Sequence, residues 1–195
     1  MLEVHLHALW QLPHQNATPP KVTEVERSRY DNRFTNVKAV RTSVHASLDA
    51  NARDIDGARD RVHQFLESLP HDGSSTANHI RHIPENHLIA MFRSVAHLGL
   101  ARWAPDILGS EPDSMYNILH EQIALFTFEQ VAASFGYSHL GINLQLVQND
   151  ALICKLYRNF VFSHMAKIAK LEAKTLGSIV KGNEMTNVWK HRQDV

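Results

Sequence analysis

The chain has 195 residues, of which 44% are hydrophobic and 21% are charged. That length and composition suit one sizeable globular core and exclude a largely disordered chain. Twenty basic residues balance twenty acidic ones, so the net charge supplies no general attraction to nucleic acid or to an anionic membrane. The single cysteine, Cys154, excludes an intrachain disulfide framework, which favours a cytoplasmic or nuclear protein. No apolar run is long enough to cross a bilayer, and we expect no membrane partner.

The first twenty residues divide into an apolar segment and a linker. Residues 1–12 alternate apolar and polar side chains but also fit a short helix, and no second strand pattern is available to pair with them. The stretch PHQNATPP that follows is rich in residues that break regular structure. We therefore expect 1–20 to form an N-terminal arm and a Pro-rich linker, and 21–195 to form a single helical domain.

The clearest periodic pattern lies between residues 36 and 69. Apolar side chains recur there every three or four positions, which predicts one long amphipathic helix with a single apolar stripe. The stripe consists of Val37, Val40, Val44, Leu48, Ala52, Ile55, Ala58, Val62, Leu66 and Leu69. Gly57 weakens the middle of this helix and marks a place where it could divide in two. Residues 70–83 are rich in turn formers and predict a loop, at which the helical domain could divide.

Helical patterns also account for the second half of the chain. Pro84 suits the first turn of a helix, and further apolar periodicities follow it. The last of them predicts a long C-terminal helix near 150–181. Its predicted apolar face consists of Ile153, Tyr157, Phe160, His164, Ile168, Leu171 and Ile179. Together these patterns predict an all-α fold, a multi-helix bundle of about six to eight helices.

The segment 127–148 has the spacing of a helix-turn-helix unit. Thr127 and Gln130 fit a capping box, and Gly136 stands where a helix would stop. The residues after the glycine include no lysine or arginine, whereas a recognition helix needs cations nearby to hold phosphates. DNA recognition by this segment alone is therefore not the favoured interpretation.

Basic residues concentrate towards the C-terminal end. Residues 101–150 carry one basic and six acidic side chains, whereas 151–195 carry eight basic and three acidic ones. Several of the basic residues fall on one side of the predicted C-terminal helix, where they could bind phosphates or an acidic partner. The candidate nucleic-acid site consists of Lys167, Lys170, Lys174, Lys181 and Arg192. The alternative is that these lysines solvate the outer face of an amphipathic helix.

A histidine-rich stretch, HIRHIPENH, raises the question of a metal site. His79, His82 and His87 surround Glu85, and three imidazoles with a carboxylate suit zinc. Pro84 interrupts any helix that would present these side chains together. We therefore expect surface histidines in a turn, and no metal site.

The function that the sequence favours is macromolecular interaction. No catalytic or cofactor motif occurs, which favours a non-enzymatic protein without a cofactor. The predicted partner is another protein or a second copy of this chain, bound through the start of the apolar stripe at Val37, Val40, Val44 and Leu48. One alternative is that later helices bury this stripe as core. The other is nucleic-acid binding through the lysines, with 127–148 in a positioning role.

Overall fold

The computed structural model describes residues 1–31, 33–49, 55–71 and 75–175. These ranges are all-helical and contain no strand, which confirms the predicted fold class. The helices are α1 (Leu2–Trp10), α2 (Glu24–Asp31), α3 (Val37–Asp49), α4 (Ile55–Ser68), α5 (Ser75–Arg81), α6 (Glu85–His97), α7 (Met115–Ala133), α8 (Leu144–Val147), α9 (Asp150–Arg158) and α10 (Ala166–Lys174). A 3₁₀ turn, Ser138–Leu140, precedes α8, and a π-helical segment, Asn159–Met165, joins α9 to α10. None of the described helices is long and apolar enough to span a membrane.

Helix α7 lies at the centre of the described fold. It packs against α1, α2, α3, α6, α8 and α9. The consecutive residues from Tyr116 to Glu121 are all buried, so this part of the helix is enclosed around its whole circumference. A helix that buries every face must be surrounded by other helices, whereas an amphipathic helix buries only one stripe. Helix α6 provides a second support, because it packs against α1, α3, α4 and α7.

The N-terminal segment belongs to the core, which corrects the prediction of an arm. Helix α1 packs against α5, α6 and α7, and its Leu9 and Trp10 are buried. His5 joins it to α7, because its Nε2 lies 3.0 Å from Thr127 Oγ1 and 3.1 Å from the Ala124 carbonyl oxygen. The apolar character of this segment reflects a helix that is buried on nearly all sides.

The predicted stripe at 36–69 is carried by two helices and is buried. Residues 50–54 between α3 and α4 lie outside the described residues. Helix α3 packs on α6 and α7, and α4 packs on α6. Val40, Val44 and Val62 are fully buried. The described part of the stripe is therefore core, which corrects the prediction of an exposed partner-binding surface.

The predicted loop at 70–83 contains helix α5. Ile80 of this helix is completely buried, and α5 packs against α1. The Arg81 guanidinium donates a 2.7 Å hydrogen bond to the Leu69 carbonyl oxygen, which ties α5 to the end of α4. Residues 72–74 lie outside the described residues. The described part of this segment thus joins the core instead of dividing the domain.

The C-terminal helical stretch is shorter than predicted. Helix α9, the π-helical segment and α10 form a continuous stretch over 150–174. Thr175 then has an extended backbone, with φ −144° and ψ 97°. The helix therefore ends before the predicted position near 181, and residues 176–195 lie outside the described residues.

Two histidines, His5 and His120, are completely buried. Burial disfavours the charged imidazolium, and it lowers the pKa of His5 to about 3 and that of His120 to about 4. The carbonyl oxygens of Ala124 and Tyr116 accept hydrogen bonds from these rings and oppose the shift, but burial outweighs them. Both imidazoles are therefore neutral in the folded protein at neutral pH.

Replacing Val44 by aspartate is expected to unfold the protein, because the change puts an unpaired charge among core side chains. The matched control is Ala46→Asp, which adds the same charge at an exposed position of α3 and is expected to change Tm by less than about 3 °C. Circular dichroism melting and size-exclusion chromatography measure both effects. A well-folded Val44→Asp protein of lower mass than the wild type would show instead that this residue lies in an interface.

Acid is expected to destabilise the fold before any carboxylate titrates fully. Below pH 6.5 the unfolded chain takes up protons on His5 and His120, whereas the folded protein does not until its lower pKa values are reached. Stability is therefore highest above pH 6.5 and falls as the pH drops, by about 2 kcal/mol per histidine at about pH 5. Urea denaturation across this range measures the slope. His97→Gln, at an exposed site, should leave the slope unchanged, and a flat profile in the wild type would contradict the buried neutral state.

Candidate functional site

Helix α9 is attached to α7 by a partly buried ion pair. Arg158 Nε lies 2.8 Å from Glu121 Oε2, and Arg158 Nη2 lies 2.9 Å from Asp113 Oδ1. The Glu121 side chain is only 6% exposed. Its hydrogen bond raises the pKa of the Arg158 guanidinium above the ordinary value. Arg158 therefore holds the C-terminal helical stretch in place and is not a free cation for a ligand.

The π-helical segment decides which later side chains face outward. A π-turn contains more residues than an α-turn, so the residues after it are rotated relative to a regular helix. His164 and Leu171, which a regular repeat puts on the buried face, are exposed, while Val161 and Met165 are completely buried. The sequence carries no simple signal for this change of register.

A shallow groove of about 280 Å³ lies on the outer surface of this stretch. We call it the lysine groove, and it is lined by Phe162, Ser163, Ala166, Lys167, Lys170, Leu171 and Lys174. The three lysines are exposed, and Leu171 is 48% exposed between them. Among the described residues, no carboxylate forms an ion pair with these ammonium groups. The groove thus combines an apolar surface with three available positive charges.

The lysine groove contains three of the five candidate nucleic-acid residues. Lys167, Lys170 and Lys174 line it together, as their spacing of three and four residues predicts for one face of a helix. Lys181 and Arg192 lie outside the described residues. The apolar contribution of Phe162 and Leu171 was missed in the sequence, because a regular helical repeat assigns Leu171 to the core.

The helix-turn-helix interpretation of 127–148 is not supported by the local structure. Thr127 lies inside α7, where its Oγ1 donates a 2.7 Å hydrogen bond to the Ile123 carbonyl oxygen, so it caps no helix. Only a 3₁₀ turn and the four-residue α8 follow. This segment therefore contains no second helix long enough to enter a DNA groove.

Gly136 in that segment is needed for close packing and not as the helix stop that the sequence predicts. Phe135, not Gly136, adopts the left-handed conformation at the end of α7, with φ 59°. A Cβ atom on Gly136 would lie 2.5 Å from Val131 Cγ1 and 2.9 Å from His87 Cδ2. Glycine is needed because the backbone passes close to α6 and α7, and not because a turn demands it.

The candidate partner-binding residues of α3 form no accessible surface where they are described. Val40 and Val44 are buried, and Val37 is partly buried against the core. The structure does not describe the side chain of Leu48. The later helices cover this stripe, as the bundle-core alternative predicts.

The three candidate metal ligands do not come together. The His79 and His82 rings lie against the His139 ring, with centroids 5.8 and 5.3 Å apart. His87 lies instead beside Gly136. Partial burial lowers the pKa of His139, and the neighbouring His82 and His79 lower it further. Within the described ranges, no three histidine, cysteine or acidic side chains are arranged to hold a metal ion.

Cys154 lies beside the same carboxylate that anchors α9. Its Sγ is 3.6 Å from Glu121 Oε1. Burial raises the pKa of the thiol, the negative charge of Glu121 raises it further, and Arg158 partly opposes the shift. The thiol is therefore protonated and only weakly nucleophilic at neutral pH.

The comparisons with known proteins indicate no function, so the functional proposal rests on this geometry alone. No family model, curated protein or solved structure matches the chain significantly.

Removing the Glu121 charge is expected to make Cys154 more reactive. Glu121→Gln lowers the pKa of the thiol, so its modification by methyl methanethiosulfonate at neutral pH should accelerate by about threefold or more. Mass spectrometry follows the reaction, and Cys154 is the sole cysteine. Glu129→Gln removes a charge from an exposed site on α7 and should leave the rate unchanged. A slower reaction in folded Glu121→Gln protein would contradict the assigned cause of the pKa shift.

Proposed function

We propose that the protein is a non-catalytic helical interaction domain whose lysine groove binds an acidic, amphipathic segment of a protein partner. The observation that carries this proposal is the placement of Leu171 among Lys167, Lys170 and Lys174 on one exposed face. An amphipathic helix with acidic flanks could put its apolar side chains on Leu171 and its carboxylates beside the lysines. Helix-in-groove recognition of this kind uses apolar anchors for affinity and charges for orientation.

The charge of the groove supports an acidic partner. Its three ammonium groups have no described carboxylate within ion-pair distance, so no described carboxylate competes with an incoming one for these charges. Such exposed pairs individually contribute little, about 0.2–1 kcal/mol each. The apolar contact with Leu171 and Phe162 must therefore supply part of the affinity, which predicts a partner that is both acidic and apolar.

The same features favour protein over nucleic acid. Single-stranded nucleic acid is bound through several stacking aromatics, and the groove offers Phe162 alone, which is half-buried. Duplex DNA requires an element that enters a groove, and α8 contains only four residues. An exposed leucine between lysines suits the apolar anchor of helix-in-groove recognition.

The binding test uses a fluorescent amphipathic peptide of about 18 residues, long enough to span the groove as a helix, with leucines on one face and glutamates beside them. Fluorescence anisotropy should show saturable binding with Kd on the order of 10 μM, as suits a small interface. The groove variant Lys167→Glu/Lys170→Glu/Lys174→Glu should weaken binding about tenfold or more. Leu171→Ala should weaken it about threefold, because it removes apolar contact from a half-exposed site.

The control for the groove variant changes the same number of charges at exposed lysines elsewhere. It is Lys21→Glu/Lys38→Glu/Lys155→Glu. This protein should bind the acidic peptide nearly as well as wild type if the groove is the site. Duplex DNA and single-stranded RNA are titrated in parallel at low salt. Nucleic-acid binding that depends on the groove lysines but not on Leu171, without peptide binding, would replace this proposal by the nucleic-acid alternative.

A further inference from the structure

A second recess lies between α3, α7 and α9, away from the lysine groove. Its volume is about 400 Å³, within the range of small-molecule sites. We call it the α7 cleft. Its floor is formed by the buried side chains of Val44, Phe128, Val147 and Ile153, together with Glu121. The recess exposes about equal polar and apolar surface, and it combines apolar side chains with one buried charged group, as ligand sites do.

Glu121 enters the floor of the α7 cleft with one carboxylate oxygen weakly bonded. Its Oε2 accepts a 2.8 Å hydrogen bond from Arg158 Nε. Its Oε1 lies 3.5 Å from Arg158 Nη2 and accepts a weak hydrogen bond from the Cys154 thiol, whose Sγ is 3.6 Å away. Normal N–H···O hydrogen bonds are shorter, and each carboxylate oxygen has two lone pairs. Oε1 therefore has room for a donor that approaches from the cleft.

The rim of the α7 cleft is more acidic than basic. Glu129 and Asp150 are exposed there, and Arg41 is the one lining residue with a fixed positive charge. Arg41 Nε already donates a 3.0 Å hydrogen bond to Gln122 Oε1. The charge of Glu121 is balanced by Arg158. The two rim carboxylates therefore outnumber the one guanidinium of the lining, that of Arg41. The field in the cleft therefore favours a cation over an anion.

Two aromatic side chains, Phe126 and Phe128, also line the cleft. Phe126 packs against His45 with ring centroids 4.1 Å apart, and Phe128 lies in the floor. Aromatic faces attract ammonium groups and also pack against hydrocarbon.

We propose that the α7 cleft binds a small organic amine, whose ammonium group donates to Glu121 Oε1 while its hydrocarbon part lies against Phe126 and Phe128. The ligand class is a primary amine attached to an aromatic or branched apolar group. The rim carboxylates Glu129 and Asp150 add long-range attraction. This site uses none of the residues of the lysine groove, so the two proposals stand or fall separately.

Cys154 provides a direct readout of occupancy, because it lines the cleft and is the sole cysteine. The probe is 2-phenylethylamine, and its matched analogues are the anion 3-phenylpropionate and the uncharged 3-phenylpropionamide. The amine should slow modification of Cys154 by methyl methanethiosulfonate in a saturable way. An apparent Kd on the order of 1 mM is expected for a ligand of this size. The two analogues should protect at least about tenfold more weakly, as the loss of one charged contact implies.

Three variants localise the binding. Ala151→Trp fills the cleft from an exposed position on α9 and should abolish protection, whereas Gln64→Trp on α4 adds the same side chain at an exposed site outside the cleft. Glu121→Gln should weaken amine binding about tenfold. Because that change also removes one of the two carboxylates paired with Arg158, Glu129→Gln/Asp150→Asn provides a milder second test and should weaken binding about threefold.

Several results would overturn the proposal. They are equal or tighter protection by 3-phenylpropionate, unchanged protection in Ala151→Trp, and no protection by any of the three compounds. Chemical shifts in a ¹H–¹⁵N correlation spectrum locate any binding that occurs. Shifts confined to residues outside the cleft would equally count against the proposal, even if Cys154 were protected.

Discussion

The part of α7 from Tyr116 to Glu121 is enclosed on all sides, so its polar side chains have to find their partners inside the protein. Asn117 meets this demand by binding the loop before the helix: its Oδ1 accepts from the Asp106 amide at 2.8 Å, and its Nδ2 donates to the Glu111 carbonyl oxygen at 2.9 Å. Thr127 is bonded to His5 of α1. Glu121 is bonded to Arg158 of α9. The buried side chains of Asn117, Glu121 and Thr127 therefore attach other parts of the chain to the central helix.

These attachments explain why the N-terminal helix is indispensable to the core. The His5 ring contacts α7 through both nitrogens, because Nδ1 bonds the Tyr137 hydroxyl while Nε2 lies near Thr127. An uncharged imidazole can donate at one nitrogen and accept at the other, and this arrangement uses both. Protonation would add a charge in a site with no carboxylate among its hydrogen-bond partners. The packing of α1 against α7 thus requires the His5 imidazole to be neutral.

The Glu121–Arg158 pair has a further consequence, because it connects the two surfaces considered for binding. Arg158 precedes the π-helical segment that orients the lysine groove, and Glu121 forms part of the floor of the α7 cleft. Removing Arg158 leaves the Glu121 carboxylate, which is only 6% exposed, without its ionic partner, and this costs far more than the pair contributes when intact. The lysine groove and the α7 cleft therefore both involve the C-terminal helical stretch that this pair attaches to α7.

The sequence by itself determined the helical class, because apolar residues at intervals of three and four leave few alternatives to amphipathic helices. It also placed Lys167, Lys170 and Lys174 on one face, since that spacing follows from helix geometry alone. Tertiary structure decided which apolar faces are covered. The sequence pattern of a stripe such as that of Val40 and Val44 is the same whether the stripe packs against a partner or against the protein's own α6 and α7. Tertiary structure also set the exposure of Leu171 through the π-helical segment, and it assembled the α7 cleft from helices distant in sequence. No local pattern encodes these features, because each depends on contacts between residues that only folding brings together.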